Sequence, residues 1–295
     1  MISVIICSID PAELEMVSKN IAATIGVPHE IIGIDNRESG KGICAVYNEG
    51  TRLAKFPVLC FMHEDMEMKT ANWGAKVLEL FGQNEKLGLI GIAGGGYKSL
   101  APSSWYNYYL QENGGFYCNL IQGYKHSGKP DMHDYRNPKS ESFSKVACVD
   151  GCWFCTKKEI ALKYPFDSKL LTKFHGYDLD FSIAISREYE AIVTFNILLK
   201  HFSEGNFNKS WMDEILKVHR KWSKVLPVNV DAIPEQHLKR IERDALEVFL
   251  QQRVNAEDYP RSEMLKLIWS TRRSRVATFS FPFKLMRKFL KMQKQ

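Results

Sequence analysis

The sequence predicts an α/β protein with a mostly parallel sheet flanked by helices, followed by a helical C-terminal region. Continuous apolar and β-branched runs at residues 3–9, 29–36 and 56–63 predict strands buried on both faces. Segments with helical spacing separate these runs, and such alternation gives parallel strands joined by crossover helices. After residue 205 only helical periodicity remains. We therefore expect one domain at 1–205 and a helical appendage at 206–295.

The elements follow in order along the chain. The first strand meets Asp10 and Pro11, which suit the N-cap and the first position of a helix. Glycine-rich stretches mark the later turns, and the spacing of apolar residues in each segment indicates whether it is a strand or a helix. Further strands are expected within 86–96, 146–156 and 191–205. Further helices are expected at 43–55, 72–83, 158–163, within 173–189, and at 210–222, 234–254, 262–270 and 281–294.

Composition bounds the class of protein. The chain has 295 residues, of which 45% are hydrophobic and 12% aromatic, an ordinary globular composition. It has no run of about 18 or more uninterrupted apolar residues, so no membrane-spanning helix is expected. The N-terminus lacks a basic region before its apolar run and predicts a strand, not a secretory signal. Seven cysteines without a signal favour a reducing cytoplasm.

The net charge of +6 resides in the tail. Residues 271–295 contain eight basic residues and no acidic one, so residues 1–270 carry about −2. This distribution argues against a body that binds nucleic acid. The segment 281–294 predicts a basic amphipathic helix. It fits three interpretations: a helix packed on the core with a solvated basic face, a peripheral contact with the inner face of the cell membrane, or a homodimer interface.

Residues 97–145 break the rhythm of strands and helices. They are rich in aromatic residues and contain frequent glycine, asparagine and serine. Aromatic side chains offer apolar faces on which sugar rings stack, and loops this long are commonly functional. The segment is therefore either an irregular excursion with strands of its own or a wall of an acceptor pocket.

Three polar clusters could carry chemistry. Residues 63–65, His-Glu-Asp, end an apolar strand, where a buried charge is costly unless it is paired or bound to a metal. Residues 175–180 lead into a helix, and His201 ends another apolar run. Ligands sit beyond the carboxyl ends of parallel strands, where Asp35 also lies. Carboxylates with imidazole suit Mn²⁺ or Mg²⁺, and imidazole also suits Zn²⁺.

Each cluster also has a structural interpretation. Residues 63–65 could be a solvated strand exit, Asp178 could cap its helix, and His201 could be a surface histidine. Cys148, Cys152 and Cys155 match the C-x3-C-x2-C spacing of iron–sulfur sites in radical enzymes. The residues between them suit a strand and a tight turn, so we do not favour a cluster.

Taken together, these segments resemble the glycosyltransferase A fold, and specifically the family 2 glycosyltransferases that use nucleotide sugars. The resemblance covers roughly residues 1–205. It rests on six segments in a consistent order: SVIICS, IIGIDN, GICAVYNEG, LCFMHED, VDGCWF and FHGYDLDFS. Each segment is weak evidence alone, and their order and spacing make the resemblance specific for the fold.

The resemblance implies roles for individual residues. It implies a donor site at Ser8, Asp35, Asn48, Glu64 and Asp65, with Asp35 at the uracil ring or ribose. It implies a Mn²⁺ or Mg²⁺ ion that is held by Asp65 and His201 and bridges the diphosphate. It implies Asp178 as the catalytic base. It implies an acceptor side at Asp150, Gly151, Trp153 and Tyr177.

The sequence departs from the family pattern at three places. His63 stands where the family usually has Asp, which puts the strength of the metal site in doubt, and Glu64 could share the ligand role. Tyr177 replaces the usual Glu before the base. Asp180 lies two residues after Asp178 and competes for the base role.

The implied function is an inverting glycosyltransferase. It would move a sugar from a nucleotide sugar, most simply UDP-linked, to a hydroxyl of a glycan or lipid-linked acceptor. A carboxylate base removes the acceptor proton, and a divalent cation stabilises the leaving diphosphate. Two alternatives remain at this level: a non-catalytic sugar-binding module, and a nucleotidyltransferase, for which the glycine-rich phosphate loop is missing from CSIDPAE.

Overall fold

The computed structural model describes residues 1–125, 127–205, 207–255, 261–273 and 279–292. The strands are β1 (Ile2–Ser8), β2 (His29–Asp35), β3 (Val58–Met62), β4 (Met66–Met68), β5 (Leu87–Gly91), β6 (Ala93–Gly95), β7 (Tyr97–Lys98), β8 (Phe116–Gln122), β9 (Met132–Arg136), β10 (Phe143–Val146), β11 (Cys148–Val149), β12 (Trp153–Lys157), β13 (Glu190–Thr194), β14 (Leu199–His201) and β15 (Val228–Asn229). The helices are α1 (Pro11–Thr24), α2 (Ile43–Leu53), α3 (Trp73–Gln83), α4 (Tyr108–Asn113), α5 (Lys158–Lys163), α6 (Tyr177–Ile185), α7 (Lys209–Lys221), α8 (Glu235–Asn255), α9 (Arg261–Ser270) and α10 (Phe281–Met292), with a 3₁₀ turn at Thr271–Arg273.

The main sheet has the strand order β10-β13-β5-β12-β3-β1-β2. β1 pairs in parallel with β2 and with β3, as the alternation of strands and helices predicts. β12 lies between β3 and β5 and runs antiparallel to both. Along each strand, side chains alternate between two cores, so Ile5 and Phe61 face one layer and Ile6 and Met62 the other. Burial on both faces explains the unbroken apolar runs.

Helices cover both faces of this sheet. α1 begins at Pro11 as predicted, and the Asp10 carboxylate caps it by accepting the Ala12 N–H at 2.9 Å. α1 and α3 bury Val17 and Val77 in one core. α2, α6 and α7 contribute to the core on the other face. The sheet is therefore the middle layer of three.

A second sheet has the order β11-β6-β8-β14-β4, with β9 paired to β8. β4 continues the chain from β3 and pairs antiparallel with β14. Residues 97–145, for which an irregular excursion with strands of its own was one of the two interpretations, supply most of β7 to β10 and α4. This sheet stands next to the carboxyl ends of β1 and β3, and its strands border the site described below.

The C-terminal region has two parts. α7 buries Trp211, Ile215 and Val218 in the same core as α6, so the boundary expected at residue 205 stays a prediction. α8, α9 and α10 form a separate apolar cluster. Within the described residues, none of the helices is long and apolar enough to cross a bilayer. The end of the predicted tail helix, residues 293 and 294, lies outside the described residues.

Candidate functional site

The pairing of β4 with β14 brings Asp65 and His201 together. His201 lies opposite Met66, and the Phe202 N–H donates to the Asp65 carbonyl at 3.1 Å. The His201 Nε2 is 3.5 Å from Asp65 Oδ1, and the Ser203 hydroxyl donates to Asp65 Oδ2 at 2.5 Å. Two residues far apart in sequence therefore form the predicted pair because two short strands pair in register.

Asp65 and His201 each stabilise the charged form of the other. Burial acts to raise the pKa of Asp65, but His201, His63 and Ser203 outweigh it and hold the pKa well below its ordinary value. Burial acts to lower the pKa of His201, but the hydrogen bond and charge of Asp65 outweigh it and raise that pKa. Asp65 is thus an anion across the physiological range.

His63 completes a group of three ligand side chains. One ligand atom from each of His63, Asp65 and His201 lies within 4.8 Å of the others, a spacing that suits one metal ion. The His63 N–H of the backbone donates to the Cys152 carbonyl at 3.0 Å, which fixes the chain at the end of β3. From the sequence, His63 is a departure from the family pattern, and it was not predicted as a ligand.

The hydrogen bonds of Tyr177 determine the protonation of His63. The Tyr177 hydroxyl donates its one proton to the Gly151 carbonyl at 3.0 Å. The same oxygen is 2.8 Å from His63 Nε2, so the Nε2 must carry the proton of that bond. The His63 Nδ1 therefore holds the lone pair that a cation needs. Burial and the nearby His201 lower the pKa of His63 to about 4, so the ring is neutral.

Asp178 is the second residue of α6 and lines the same cleft as the metal-ligand group. Burial and the negative charge of Asp150 raise the pKa of Asp178 to about 7, against the lowering effect of the backbone N–H groups of Leu179 and Gly151. A carboxylate with a pKa near neutrality can accept a proton from a substrate at physiological pH.

Asp180, the competing candidate, is in a different environment. Its carboxylate accepts the Trp222 Nε1–H at 2.7 Å and pairs with Lys221 at 2.8 Å. It is buried and does not line the cleft. Helical geometry explains the difference, because residues two apart on a helix point to different sides. The arrangement favours Asp178 as the base.

The turn between β11 and β12 borders Asp178. Asp150 accepts the Cys152 N–H at 2.8 Å and the Trp105 Nε1–H at 2.6 Å. A side chain at Gly151 would meet the Tyr177 hydroxyl oxygen at 2.4 Å, so only glycine lets Tyr177 reach His63. Trp153 was predicted on the acceptor side, but it is fully buried beside Trp73 in the core that α1 and α3 cover.

The predicted donor residues do not all line the cleft. Glu64 lines the cleft and accepts the Ile9 and Asp10 backbone N–H groups at 3.0 and 3.2 Å. Ser8 is buried, and its hydroxyl donates to the Asp10 carbonyl at 3.4 Å. Ser8 is not part of the cleft lining, and two further predicted donor residues also lie outside it.

Asp35 and Asn48 are those two residues. Asp35 is exposed at the end of β2, where Arg37 lowers its pKa to about 2, and the neighbouring Asn36 lines the cleft instead. The Asn48 amide bonds the Phe166 backbone in both directions, donating at 2.8 Å and accepting at 3.0 Å. The donor roles of Ser8, Asp35 and Asn48 stay predictions.

The cleft has a volume of about 850 Å³ and an acidic lining. Its carboxylates come from Glu13, Glu64, Asp65, Asp134, Asp150, Asp178 and Glu204. Among the residues that the structure describes along this lining, Lys125 is the one Lys or Arg. Lys125 forms an ion pair with Glu13. An anionic substrate could enter such a cleft only with added positive charge.

Aromatic side chains form much of the remaining wall. Trp105, Tyr106 and Phe116 come from the aromatic segment 97–145, and Phe174 and Trp211 come from later elements. Other aromatics of that segment have a different role, since the hydroxyls of Tyr97, Tyr109 and Tyr117 bond to Glu242, His237 and Asp231 of the C-terminal region. The segment both lines the cleft and holds the helical region.

The three cysteines with iron–sulfur spacing do not form a site. Cys148 belongs to one core and Cys152 and Cys155 to the other. All three are buried thiols with raised pKa, which for Cys148 is about 12. In the described part of the chain, only His63, Asp65 and His201 group as ligands for a metal.

Comparisons with known proteins agree with this architecture. The model of a family described as "Glycosyltransferase like family" matches residues 3–223. A comparison with curated proteins finds no match.

Solved structures similar to this chain include two glycosyltransferases. The structure of GalNAc-T7 with UDP, GalNAc and Mn²⁺ has a TM-score of 0.50 and 12% identity, and the alignment covers 88% of this chain but 58% of that protein. The mannosyltransferase PcManGT from Pyrobaculum calidifontis with GDP-Man and Mn²⁺ has a TM-score of 0.50 and 11% identity, with coverages of 99% and 85%. At such identities the likeness concerns the fold, and it confirms the predicted fold class.

Proposed function

Because the chain belongs to the Glycosyltransferase like family, we propose that it transfers a glycosyl group from a nucleotide sugar to a hydroxyl of a glycan or lipid-linked acceptor, with inversion at the anomeric carbon. The family match confirms the resemblance drawn from the sequence and the expectation of a glycosyltransferase. The donor, the acceptor and the stereochemistry are the proposed part.

One observation carries the proposal. The ligand group of His63, Asp65 and His201 and the carboxylate of Asp178 line the same cleft. A diphosphate held at the first and an acceptor hydroxyl held at the second would share one space of about 850 Å³, which is large enough for a nucleotide sugar.

Asp178 is the proposed general base. Its carboxylate takes the proton of the acceptor hydroxyl while the hydroxyl oxygen bonds to the anomeric carbon and the bond from that carbon to the diphosphate breaks. A base with a pKa near the working pH combines the correct protonation state with proton affinity. Asp150 is held by Trp105 and Cys152, which leaves Asp178 as the base and favours inversion.

The donor set fits a divalent cation. His63 presents a neutral ring with its Nδ1 lone pair, Asp65 an anion, and His201 an imidazole beside it. Two nitrogens and one oxygen suit Mn²⁺ better than Mg²⁺, which prefers oxygen ligands, and both similar structures hold Mn²⁺. A bound divalent cation would supply positive charge to the diphosphate leaving group.

The remaining walls suggest how substrates are oriented. We assign the nucleoside to the end near Ile9, Asn36 and Glu64, with Lys125 directed to the diphosphate. We assign the acceptor to the aromatic wall of Trp105 and Phe116, which stack at 5.2 Å and offer a platform for sugar rings.

The test measures transfer and hydrolysis of UDP- and GDP-linked sugars with Mn²⁺. Asp178→Asn should lower the rate by about 100-fold or more, because it removes the base, and leave the affinity for the nucleoside diphosphate nearly unchanged. In the wild type, the rate should rise as the pH passes through about 7.

Asp213→Asn, an exposed substitution of the same kind on α7, is the matched control and should retain full activity. Full activity of Asp178→Asn would remove the base from the proposal. Tight binding of nucleoside diphosphates without turnover of any donor would favour the non-catalytic binding module.

A further inference from the structure

α10 has two apolar faces, although a helix on the surface of a globular protein needs one. The first face is packed. Phe281, Leu285 and Phe289, spaced four residues apart, are buried against Leu246 of α8 and Ile268 of α9. This contact fixes the helix on the C-terminal region and determines which side chains face outward.

The second face presents large apolar side chains to solvent. On α10, Phe283 is 54% and Leu290 52% exposed; beside them, Phe279, two residues before the helix, is 90% exposed and Trp269 at the end of α9 is 43% exposed. The rings of Trp269 and Phe283 are 5.9 Å apart, and those of Phe279 and Phe283 6.0 Å. These four side chains, here called the C-terminal patch, form one surface. Exposed apolar surface of this kind marks an interaction site.

Cations surround the C-terminal patch. The Arg272 guanidinium lies 4.9 Å over the Trp269 ring, and Lys284, Arg287 and Lys291 are exposed on α10. The sequence has no acidic residue from position 264 to position 295. Phe283, Met286, Arg287, Leu290 and Lys291 together line a shallow depression, which combines apolar and basic groups.

We propose that the C-terminal patch binds the surface of an anionic lipid bilayer. Aromatic and aliphatic side chains that project from an anchored basic helix are the features of a helix that lies in the membrane interface. Trp at the edge of such a surface suits the headgroup level, and each nearby Lys or Arg is attracted to anionic lipid. No described helix spans a bilayer, so the contact is peripheral.

The charges favour lipid over a second copy of the chain. An interface between two identical patches would bring Arg272, Lys284, Arg287 and Lys291 of each copy toward the same set, because the segment 264–295 that carries them has no acidic residue. Glu247 of α8, which lies beside α10, is already paired with Lys288. A bilayer with anionic headgroups offers the complementary sign and accepts the apolar side chains.

The experiment uses the full chain in vesicle co-sedimentation. The wild type should bind vesicles that contain phosphatidylcholine and phosphatidylglycerol, bind phosphatidylcholine alone weakly, and lose affinity between about 0.1 M and about 1 M salt. Phe279→Ser/Phe283→Ser should weaken binding at least about tenfold. Arg287→Glu/Lys291→Glu should weaken it about tenfold or more.

Matched controls alter other exposed surfaces. Met16→Ser/Leu162→Ser and Lys169→Glu/Lys224→Glu change the same kinds of side chains elsewhere and should bind vesicles as the wild type does. Equal binding to both vesicle types, or undiminished binding of the Phe279→Ser/Phe283→Ser variant, would overturn the proposal. So would a wild-type dimer that this variant converts to a monomer in sedimentation velocity, without any vesicle binding.

Discussion

A single hydroxyl group sets the proton position on His63. A phenol has one proton to donate, and the Tyr177 hydroxyl gives it to the carbonyl of Gly151. Its oxygen must then accept from His63 Nε2, which leaves the Nδ1 of that ring available to a cation. Hydrogen bonds of this kind orient the ligands of metal sites and raise their basicity. The Tyr that replaces the family's usual Glu is thus coupled to the His that replaces the usual Asp.

Tyr177→Phe should therefore weaken cation binding. The substitution removes the acceptor for the Nε2 proton, so the His63 ring is no longer held in one tautomer, and we expect a loss of about 10- to 100-fold in Mn²⁺ affinity. Titration calorimetry with Mn²⁺ measures this loss. Tyr164→Phe removes a hydroxyl that bonds to exposed Glu188 and is the control. Equal Mn²⁺ affinity in both variants and the wild type would contradict the assignment of His63 as a ligand.

At this scale the sequence identified the type of chemistry better than the individual contacts. The placement of Asp65, His201 and Asp178 near one another could be predicted, because each lies beside a strand end or a helix start at the same edge, while their roles stay predictions. Asn48 could not be placed, because whether its amide bonds a ligand or the Phe166 backbone depends on a loop more than a hundred residues away. In the same way, the sequence could not predict on which face of β12 the Trp153 side chain lies.

At the scale of elements, strand pairing beyond the regular sheet connects Lys125 to the ligand group. Past the end of β8, the Gly123 N–H donates to the His201 carbonyl at 2.7 Å and the Lys125 N–H to the Phe202 carbonyl at 3.0 Å. Phe202 in turn donates to Asp65. The backbone that carries Lys125 is therefore tied to the backbone that carries two ligands. No motif in the sequence points to this lysine.

Lys125 should contribute to diphosphate binding. It is the one Lys or Arg found along the described lining of an acidic cleft, and a charge-assisted hydrogen bond contributes about 1.5–3 kcal/mol. Lys125→Ala should therefore weaken UDP binding in the presence of Mn²⁺ by about 10- to 100-fold, measured by calorimetry. Lys125→Arg keeps the charge and should retain most of the affinity.

Lys129→Ala, an exposed lysine a few residues further along the same loop, is the control and should bind UDP as the wild type does. Unchanged affinity in Lys125→Ala would show that Glu13, not the diphosphate, is the functional partner of this lysine. Weak binding by the wild type itself would count against the proposed donor, so the two failures can be told apart.

At the scale of the whole molecule, the sequence predicts the features that local patterns determine and misses those that depend on pairing between distant strands. The parallel order of β2, β1 and β3 follows from apolar runs and helical spacing, which are local. The insertion of antiparallel β12 between β3 and β5 joins residues about sixty or more positions apart, and no local signal contains it. The second sheet is built in the same way, and it is the sheet that assembles the site.

The free energy of unfolding should record the cost of holding Asp178 in the cleft. Its pKa is raised from 3.8 to about 7 in the folded protein, so the folded state keeps a proton that the unfolded state has released. Stability is therefore lost as the pH rises from about 4 to about 7, and the loss is complete above that range. Asp178→Asn carries no charge, so at about pH 8 it should be more stable than the wild type by about 2 kcal/mol, or a few degrees in Tm.

Thermal unfolding of both proteins at about pH 5 and about pH 8 measures this difference, which should be larger at the higher pH. Asp35→Asn is the opposite case, because Arg37 lowers the pKa of Asp35 in the folded protein and its removal should bring no gain at about pH 8. A Tm of Asp178→Asn at or below that of the wild type at about pH 8 would mean that the carboxylate is not destabilised by its site. The pKa near neutrality on which the proposed base role of Asp178 depends would then lack its physical basis, since burial and the charge of Asp150 produce both the raised pKa and the loss of stability.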